Sequence, residues 1–318
     1  MESPIIMSNL DKAPWREIPS FARIDSHLEQ VNDLIHQALA ARDVAGELSP
    51  LFEHLNACTG KLLRPAMVLL AGECLGPLTE NHVRVGAIVE MIHHATLLHD
   101  DVIDDGHLRR GVPTVNRLWG NESAVLLGDF VLSRVFRMAA DLDSSIAKIV
   151  AQTAIRVCEG ELRQVVQRRN WRLGEDQYIQ IIGEKSASFF SGCCRLGALL
   201  SHAEERYVAA AARFGLNAGI AFQITDDLLD ITGEEARTGK TGRRDVAKDK
   251  LTLAVIHLLD TVEEGERPGV QAMLESGSES RRELAEMLRR RGSLQYAHER
   301  AEKRSEEHTS ELQSHHPI

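Results

Sequence analysis

The chain has 318 residues, of which 43% are hydrophobic and only 4% aromatic, with five cysteines and a net charge of −10. That apolar content supports a large core, and the acidic balance argues against a general affinity for nucleic acid. Five cysteines (Cys58, Cys74, Cys158, Cys193, Cys194) without C-x-x-C spacing exclude a disulfide scaffold, and no run of about 18 apolar residues is present to span a membrane.

Residues 1–22 are expected to form an extended arm, with three prolines in the first 20 positions and no periodicity. Residues 1–10 lack a basic stretch followed by an apolar one, so no secretion signal is expected and the cysteines are read as reduced, in a cytoplasmic protein. From Ile24 the spacing turns helical. Leu28, Val31, Leu34, Ile35, Ala38 and Leu39 share one stripe, broken by Gly46 and Pro50. A short segment at 51–57 precedes Gly60-Lys61-Leu62-Leu63-Arg64-Pro65. Pro65 suits the first turn of a helix, which puts Lys61 and Arg64 at a positive helix end. Two cations there are unfavourable unless an anion binds; the alternative is a solvated basic loop.

A helix over 67–75 stops at Gly76-Pro77. The next, from 80 to about 105, is apolar nearly all round and belongs inside a bundle. It carries His93, His94 and His99, which in such a setting are more often core or rim residues than metal ligands. Residues 106–120 read as a loop, followed by helices at 123–140 and 144–168. Gly160, inside the latter, costs about 1 kcal/mol relative to alanine and points to a close approach by another helix or a ligand. After a polar break at 169–174, helices are predicted over 178–200 and 204–232. A charged loop at 233–249, a helix at 250–259 and two weaker amphipathic pieces near 268–275 and 279–290 complete the chain. No tandem repeat and no β-alternation stand out. About ten helices with short connections predict one all-α bundle.

Two stretches do not fit a purely structural role. Asp100-Asp101-Val102-Ile103-Asp104 and Asp226-Asp227-Leu228-Leu229-Asp230 both read D-D-x-x-D. In each, the first and last aspartates are i,i+4 neighbours on one helix face, where like charges repel by about 0.2–0.5 kcal/mol per pair. Their neighbours are apolar, unlike those of a solvated acidic face. A divalent cation converts the repulsion into coordination, and carboxylates favour a hard cation such as Mg2+ over zinc. If the two helices face each other, six carboxylates line one cavity. The basic residues Lys61, Arg64, Arg109, Arg110, Lys185 and Lys240 supply counter-charge for a diphosphate, and apolar walls suit a hydrocarbon body.

With these residues in view the chain resembles the trans-polyprenyl diphosphate synthases of the isoprenoid synthase type I family. The resemblance rests on Gly60-Lys61-Leu-Leu-Arg64-Pro65, on Leu98-His-Asp100-Asp-Val-Ile-Asp104-Asp-Gly-His-Leu-Arg109-Arg110-Gly111, on Gly160-Glu161 with Gln164, on Lys185-Ser186, and on Phe222-Gln223-Ile-Thr-Asp226-Asp227-Leu-Leu-Asp230. It runs from about residue 25 to 300. It implies a helical domain over 23–303 around a central cavity, in which isopentenyl diphosphate is condensed with an allylic prenyl diphosphate. It also implies three Mg2+ ions per site, bridging Asp100, Asp104 and Asp226 to the allylic diphosphate, and a homodimer. Asp101, Asp227 and Asp230 complete the two acidic runs. Lys61, Arg64, His93 and Arg110 would hold isopentenyl diphosphate; Arg109, Lys185, Ser186, Gln223, Lys240 and Lys250 would contact the allylic partner. Ala95 and Thr96, about one turn before Asp100, would set chain length. A small residue at 95 suggests a product longer than farnesyl diphosphate, unless Ala95 only packs and the floor lies near Met91 or Ile92. The sequence departs from the family's usual pattern at Ser186, where threonine is commoner, and around Asp249-Lys250.

Two other readings compete. A non-catalytic subunit of a heteromeric synthase tends to lose its aspartates, and both runs are intact here. A class I terpene cyclase carries an asparagine/serine/glutamate motif in place of the second run and is richer in aromatics. Residues 304–318 resemble a translated sequencing-library adaptor. They are expected to lie outside the fold, with the natural protein continuing beyond them.

Overall fold

The computed structural model describes residues 18–40, 46–57, 60–109, 111–232, 251–276 and 280–306. Among them the only β-structure is a hairpin pairing β1 (Leu108–Arg109) with β2 (Val112–Pro113); the regular structure is otherwise helical, as the spacing predicts. Arg110, the predicted loop 233–249 with Lys240, Lys250 and most of the suspected adaptor segment, 307–318, lie outside the described residues.

The chain divides into two compact units. One comprises the described residues of 1–107, 113–151 and 193–211. It holds α1 (Pro19–Ala22), α2 (Asp25–Leu39), α3 (Ser49–Ala57), α4 (Leu63–Glu73), α5 (Glu80–Ile103) and α6 (Val115–Ala139). Helix α5 is its centre, packed against α2, α4 and α6. The predicted stripe of α2 supplies Leu28, Val31, Ile35 and Leu39, all fully buried, with Leu34 and Ala38 flanking them at half burial. Fully burying each such side chain contributes about 1.5–3 kcal/mol. Helix α5 buries residues all round, from Val85, Ile88 and Met91 to Ala95, as its uninterrupted apolar composition requires.

The predicted loop at 106–120 is shorter than expected. Helix α6 starts at Val115 and continues through a kink at Gly120, where φ is 86°. Read in sequence, Pro113 and Gly120 punctuate a loop; in three dimensions only the residues before Thr114 are one. Thr114 Oγ1 donates to the Gly106 carbonyl at 2.6 Å, and Asn116 Nδ2 donates to the Asp101 carbonyl at 3.0 Å. These bonds lock the start of α6 onto the end of α5.

The second unit comprises the described residues of 108–112, 152–192 and 212–306. Helices α7 (Ser144–Val166), α9 (Ser188–Leu200) and α10 (Glu205–Thr232) each contain a boundary between the units; α8 (Glu175–Ile182), α11 (Leu253–Thr261), α12 (Arg267–Glu275), α13 (Arg281–Arg290) and α14 (Ser293–Glu306) belong to the second. Its core gathers Ile181, Ile224, Leu253, Ile256, Leu284 and Leu288. Where one helix was expected over 178–200, α8 begins at Glu175 and a π-helical turn, Gly183–Ala187, separates it from α9. Helix α14 has no counterpart among the predicted elements. Its buried side chains are small (Ser293, Ala297 and Ala301), so the apolar signal is weak. It is anchored instead by Glu175, which accepts from Tyr296 Oη and, at 2.7 Å, from Arg300 Nε. The bond to Glu175, with burial and the Glu175 charge, raises the Tyr296 pKa.

Candidate active site

Both aspartate runs fall in the last turns of long helices. Asp100, Asp101 and Asp104 end α5, where Asp104 is the C-cap, and Asp226, Asp227 and Asp230 end α10. A helix C-terminus already carries about half a negative charge, so carboxylates there are disfavoured unless a cation is present. Asp100 and Asp104 are half-buried, as are Asp226 and Asp230, while Asp101 and Asp227 are buried. The end of α5 is held tightly. Asp104 N donates to the Asp100 carbonyl at 2.8 Å, Gly106 N donates to the Asp101 carbonyl at 2.7 Å, and Asp105 takes a left-handed φ of 47°.

Among the described residues no group of three or more His, Cys, Asp or Glu side chains is placed to hold a metal ion. Mg2+ takes one or two carboxylates from a protein and completes its octahedron with water and phosphate oxygens. The donor chemistry, i,i+4 carboxylates at two negative helix ends, fits such an ion.

In the first unit Lys61 and Arg64 lie at the start of α4, which packs on α5. Leu62, the N-cap of α4, is in the left-handed region at φ 55° and fully buried. Such a conformation costs a non-glycine residue about 1–3 kcal/mol and is characteristic of ligand clamps. It places exposed Lys61 before the first turn of α4 and half-buried Arg64 within it. His93 is half-buried on α5, and Thr96 donates its hydroxyl to the His93 carbonyl at 2.8 Å. Ala95 is fully buried. Arg109, in β1, belongs to the second unit and is half-buried.

The second unit contains the better-defined constellation. A small cavity of about 70 Å³ is lined by Gln164, Tyr178, Lys185, Ser186, Gln223 and Asp227, with Ile182, Leu251 and Thr252. Asp227 accepts on both oxygens, from Tyr178 Oη at 2.6 Å and from Gln223 Nε2 at 2.9 Å. Gln223 in turn accepts from Ser186 Oγ at 2.7 Å. Lys185 Nζ donates to Gln164 Oε1 at 2.8 Å and pairs with Glu161. The predicted Lys185, Ser186, Gln223 and Asp227 therefore do come together. The sequence reading missed Tyr178 as part of this group; its only signal was a tyrosine seven residues before Lys185, on a helix otherwise read for packing.

The π turn explains how Lys185 and Ser186 both reach the cavity from adjacent positions. One extra residue in the turn rotates them relative to a regular helix, a device common at functional sites. Gly160 of α7 permits it, since a Cβ there would lie 2.2 Å from the Lys185 nitrogen. The close approach expected at Gly160 is thus to the backbone of the π turn. Beside it, burial pushes the Glu184 carboxyl up. Hydrogen bonds from Arg163 at 2.7 Å and Gln180 at 3.0 Å, with the charges of Arg163 and Arg156, outweigh burial and hold it below its ordinary value.

Residues 46–290 match the family model described as polyprenyl synthetase. The chain is 34% identical over 252 residues to a short chain isoprenyl diphosphate synthase of Methanothermobacter thermautotrophicus, covering 77% of this chain and 78% of that one. It is 38% identical over 222 residues to heptaprenyl diphosphate synthase component 2 of Geobacillus stearothermophilus, covering 69% of each. Among solved structures, a polyprenyl synthase from Caulobacter crescentus CB15, complexed with calcium and isoprenyl diphosphate, superposes with a TM-score of 0.86 at 29% identity, covering 96% of this chain and 92% of that one.

Proposed function

Because the chain belongs to the polyprenyl synthetase family, we propose that it elongates prenyl diphosphates by a metal-assisted condensation at its two aspartate runs. The reaction joins isopentenyl diphosphate to an allylic prenyl diphosphate. The observation that carries the reading is the placement of both D-D-x-x-D runs at the negative ends of α5 and α10. Asp100, Asp104 and Asp226 are the carboxylates that would hold Mg2+, three ions in all. When bound, the ions supply Lewis acidity that stabilises the departing diphosphate.

The chain's own residues do the rest. Lys61, Arg64 and His93, with Arg110, grip the diphosphate of isopentenyl diphosphate and orient its double bond. Lys185, held by Gln164 and Glu161, offers its ammonium to the allylic diphosphate. Ser186, Gln223, Arg109, Lys240 and Lys250 are its other contacts. The allylic carbon–oxygen bond breaks, the double bond of isopentenyl diphosphate attacks the allylic cation, and the proton lost from the adjacent carbon passes to the released diphosphate. No protein nucleophile is required. Apolar walls that exclude water protect the cation.

Small, fully buried Ala95 supports a product longer than farnesyl diphosphate. A second copy of the chain is the expected partner. Leu118, Val125, Leu126 and Phe136 of α6 are 39–69% exposed on one long helix, apolar surface that a second copy would cover. Similarity to a protein named as component 2 favours a second reading, in which the partner is a different subunit. No described helix is long and apolar enough to cross a membrane.

The test is incubation of the purified chain with Mg2+, radiolabelled isopentenyl diphosphate and allylic primers of several lengths. Extended prenyl diphosphates made by the chain alone support the proposal. Cyclised hydrocarbon, or no product from any primer while Mg2+ and primer bind, overturns it; product only on adding a second gene product supports the heteromeric reading.

A further inference from the structure

We propose that His99 is a positioning residue for the first aspartate run, acting through an imidazole seated in a notch that Gly128 leaves in α6. A Cβ at Gly128 would stand 2.2 Å from His99 Nε2, 2.6 Å from its Cδ2 and 2.9 Å from its Cε1. The ring occupies the volume that any other residue at 128 would fill. Its Nε2 lies 3.3 Å from the Val125 carbonyl oxygen, which accepts the N–H, and 3.6 Å from Asp129 Oδ1. One imidazole thus meets three positions within about one turn of α6: a missing side chain, a carbonyl and a carboxylate.

The consequence for the neighbouring residue follows from helix geometry. His99 and Asp100 are adjacent on α5, so a ring clamped into α6 sets the rotation of the last turns of α5, and with it the direction of Asp100 and Asp104. The other end of that segment is tied to the same helix by Asn116 on the Asp101 carbonyl. Metal ligands tolerate little misalignment, and groups that orient them typically carry about 10–100-fold of metal affinity. His99 acts only through this placement and touches no substrate atom.

The proposal rests on the reading of Asp100 and Asp104 as metal ligands, and its test separates the two. Mn2+ is titrated with inorganic diphosphate present, the free ion being followed by its paramagnetic resonance signal. The proteins are the full chain and its Gly128→Ala, His99→Ala, His99→Gln and Asp100→Asn variants, at a temperature where circular dichroism shows each folded. Gly128→Ala evicts the ring and His99→Ala deletes it. Each is expected to weaken Mn2+ binding about tenfold, at the lower end for an orienting group. His99→Gln, whose amide can still donate to the Val125 carbonyl, is expected to recover most of the loss. Should Gly128→Ala fail to fold, His99→Ala, which only removes atoms, decides alone. Affinity within twofold of the parent in His99→Ala, alongside a clear loss in Asp100→Asn, overturns the positioning role. Unchanged affinity in Asp100→Asn overturns the metal reading, and the proposal with it.

Discussion

Replacing Tyr178 by phenylalanine tests the constellation of the second unit atom by atom. The ring is 3% exposed and the substitution keeps its shape, so no cavity opens and only the hydroxyl is lost. That hydroxyl donates at 2.6 Å to Asp227 Oδ2, on a residue 8% exposed whose other oxygen is committed to Gln223. A hydrogen bond to a charged group contributes about 1.5–3 kcal/mol. Tyr178→Phe is therefore expected to lower unfolding free energy by about 1.5–3 kcal/mol, or the melting temperature by about 3–6 °C at about 2 °C per kcal/mol for a chain of this size. Equilibrium urea unfolding of Tyr178→Phe, Asp227→Asn and the double variant gives the coupling directly, expected at about 1 kcal/mol or more. A single-variant effect under about 0.5 kcal/mol, with no coupling, would refute the claim that this bond anchors the end of α10.

Other outcomes follow from the same geometry. Ala95→Phe is expected to shorten the prenyl product in a chain-length assay, with some loss of stability because the site is fully buried; unchanged product length moves the pocket floor elsewhere. Leu126→Asp with Phe136→Asp, on the exposed stripe of α6, is expected to shift the sedimentation of an assembled chain to that of a single copy, while the parent's sedimentation as a single copy would remove the basis for that interface. Glu184 is held below its ordinary pKa, so it stabilises the fold at neutral pH, and that contribution disappears as pH falls from about 4.5 through its lowered value. Glu184→Gln should accordingly show a smaller drop in urea midpoint between pH 7 and pH 4 than the parent does. Burial pushes the Cys194 thiol up to about 12 and Cys193 well above its ordinary value, so iodoacetamide at pH 8 should alkylate exposed Cys158 in the native protein and spare both; labelling of Cys193 or Cys194 at the Cys158 rate would contradict their burial.

The helical nature of the chain was legible because apolar spacing is a local property. The stripe of α2 and the all-round apolar α5 are buried as their periodicity requires. The departures arise where tertiary contacts override local signals. Gly120 reads as the end of a loop yet lies inside α6, and α14, with only small residues buried, is held by a distant glutamate rather than by a stripe. The π turn at Gly183–Ala187 has no sequence signature of its own; it is possible because Gly160, on another helix, makes room for it.

The sequence by itself determined the chemistry on offer: two repelling aspartate runs in apolar surroundings, and a set of cations suited to diphosphate. Charge and i,i+4 spacing are written along the chain and survive without coordinates. What only the tertiary structure decided is which of those groups are committed to one another. Tyr178 reaches Asp227 across 49 positions, and His99 enters α6 at Gly128. Such pairings depend on how helices pack and rotate, and packing is set by the sum of many contacts that no single stretch encodes.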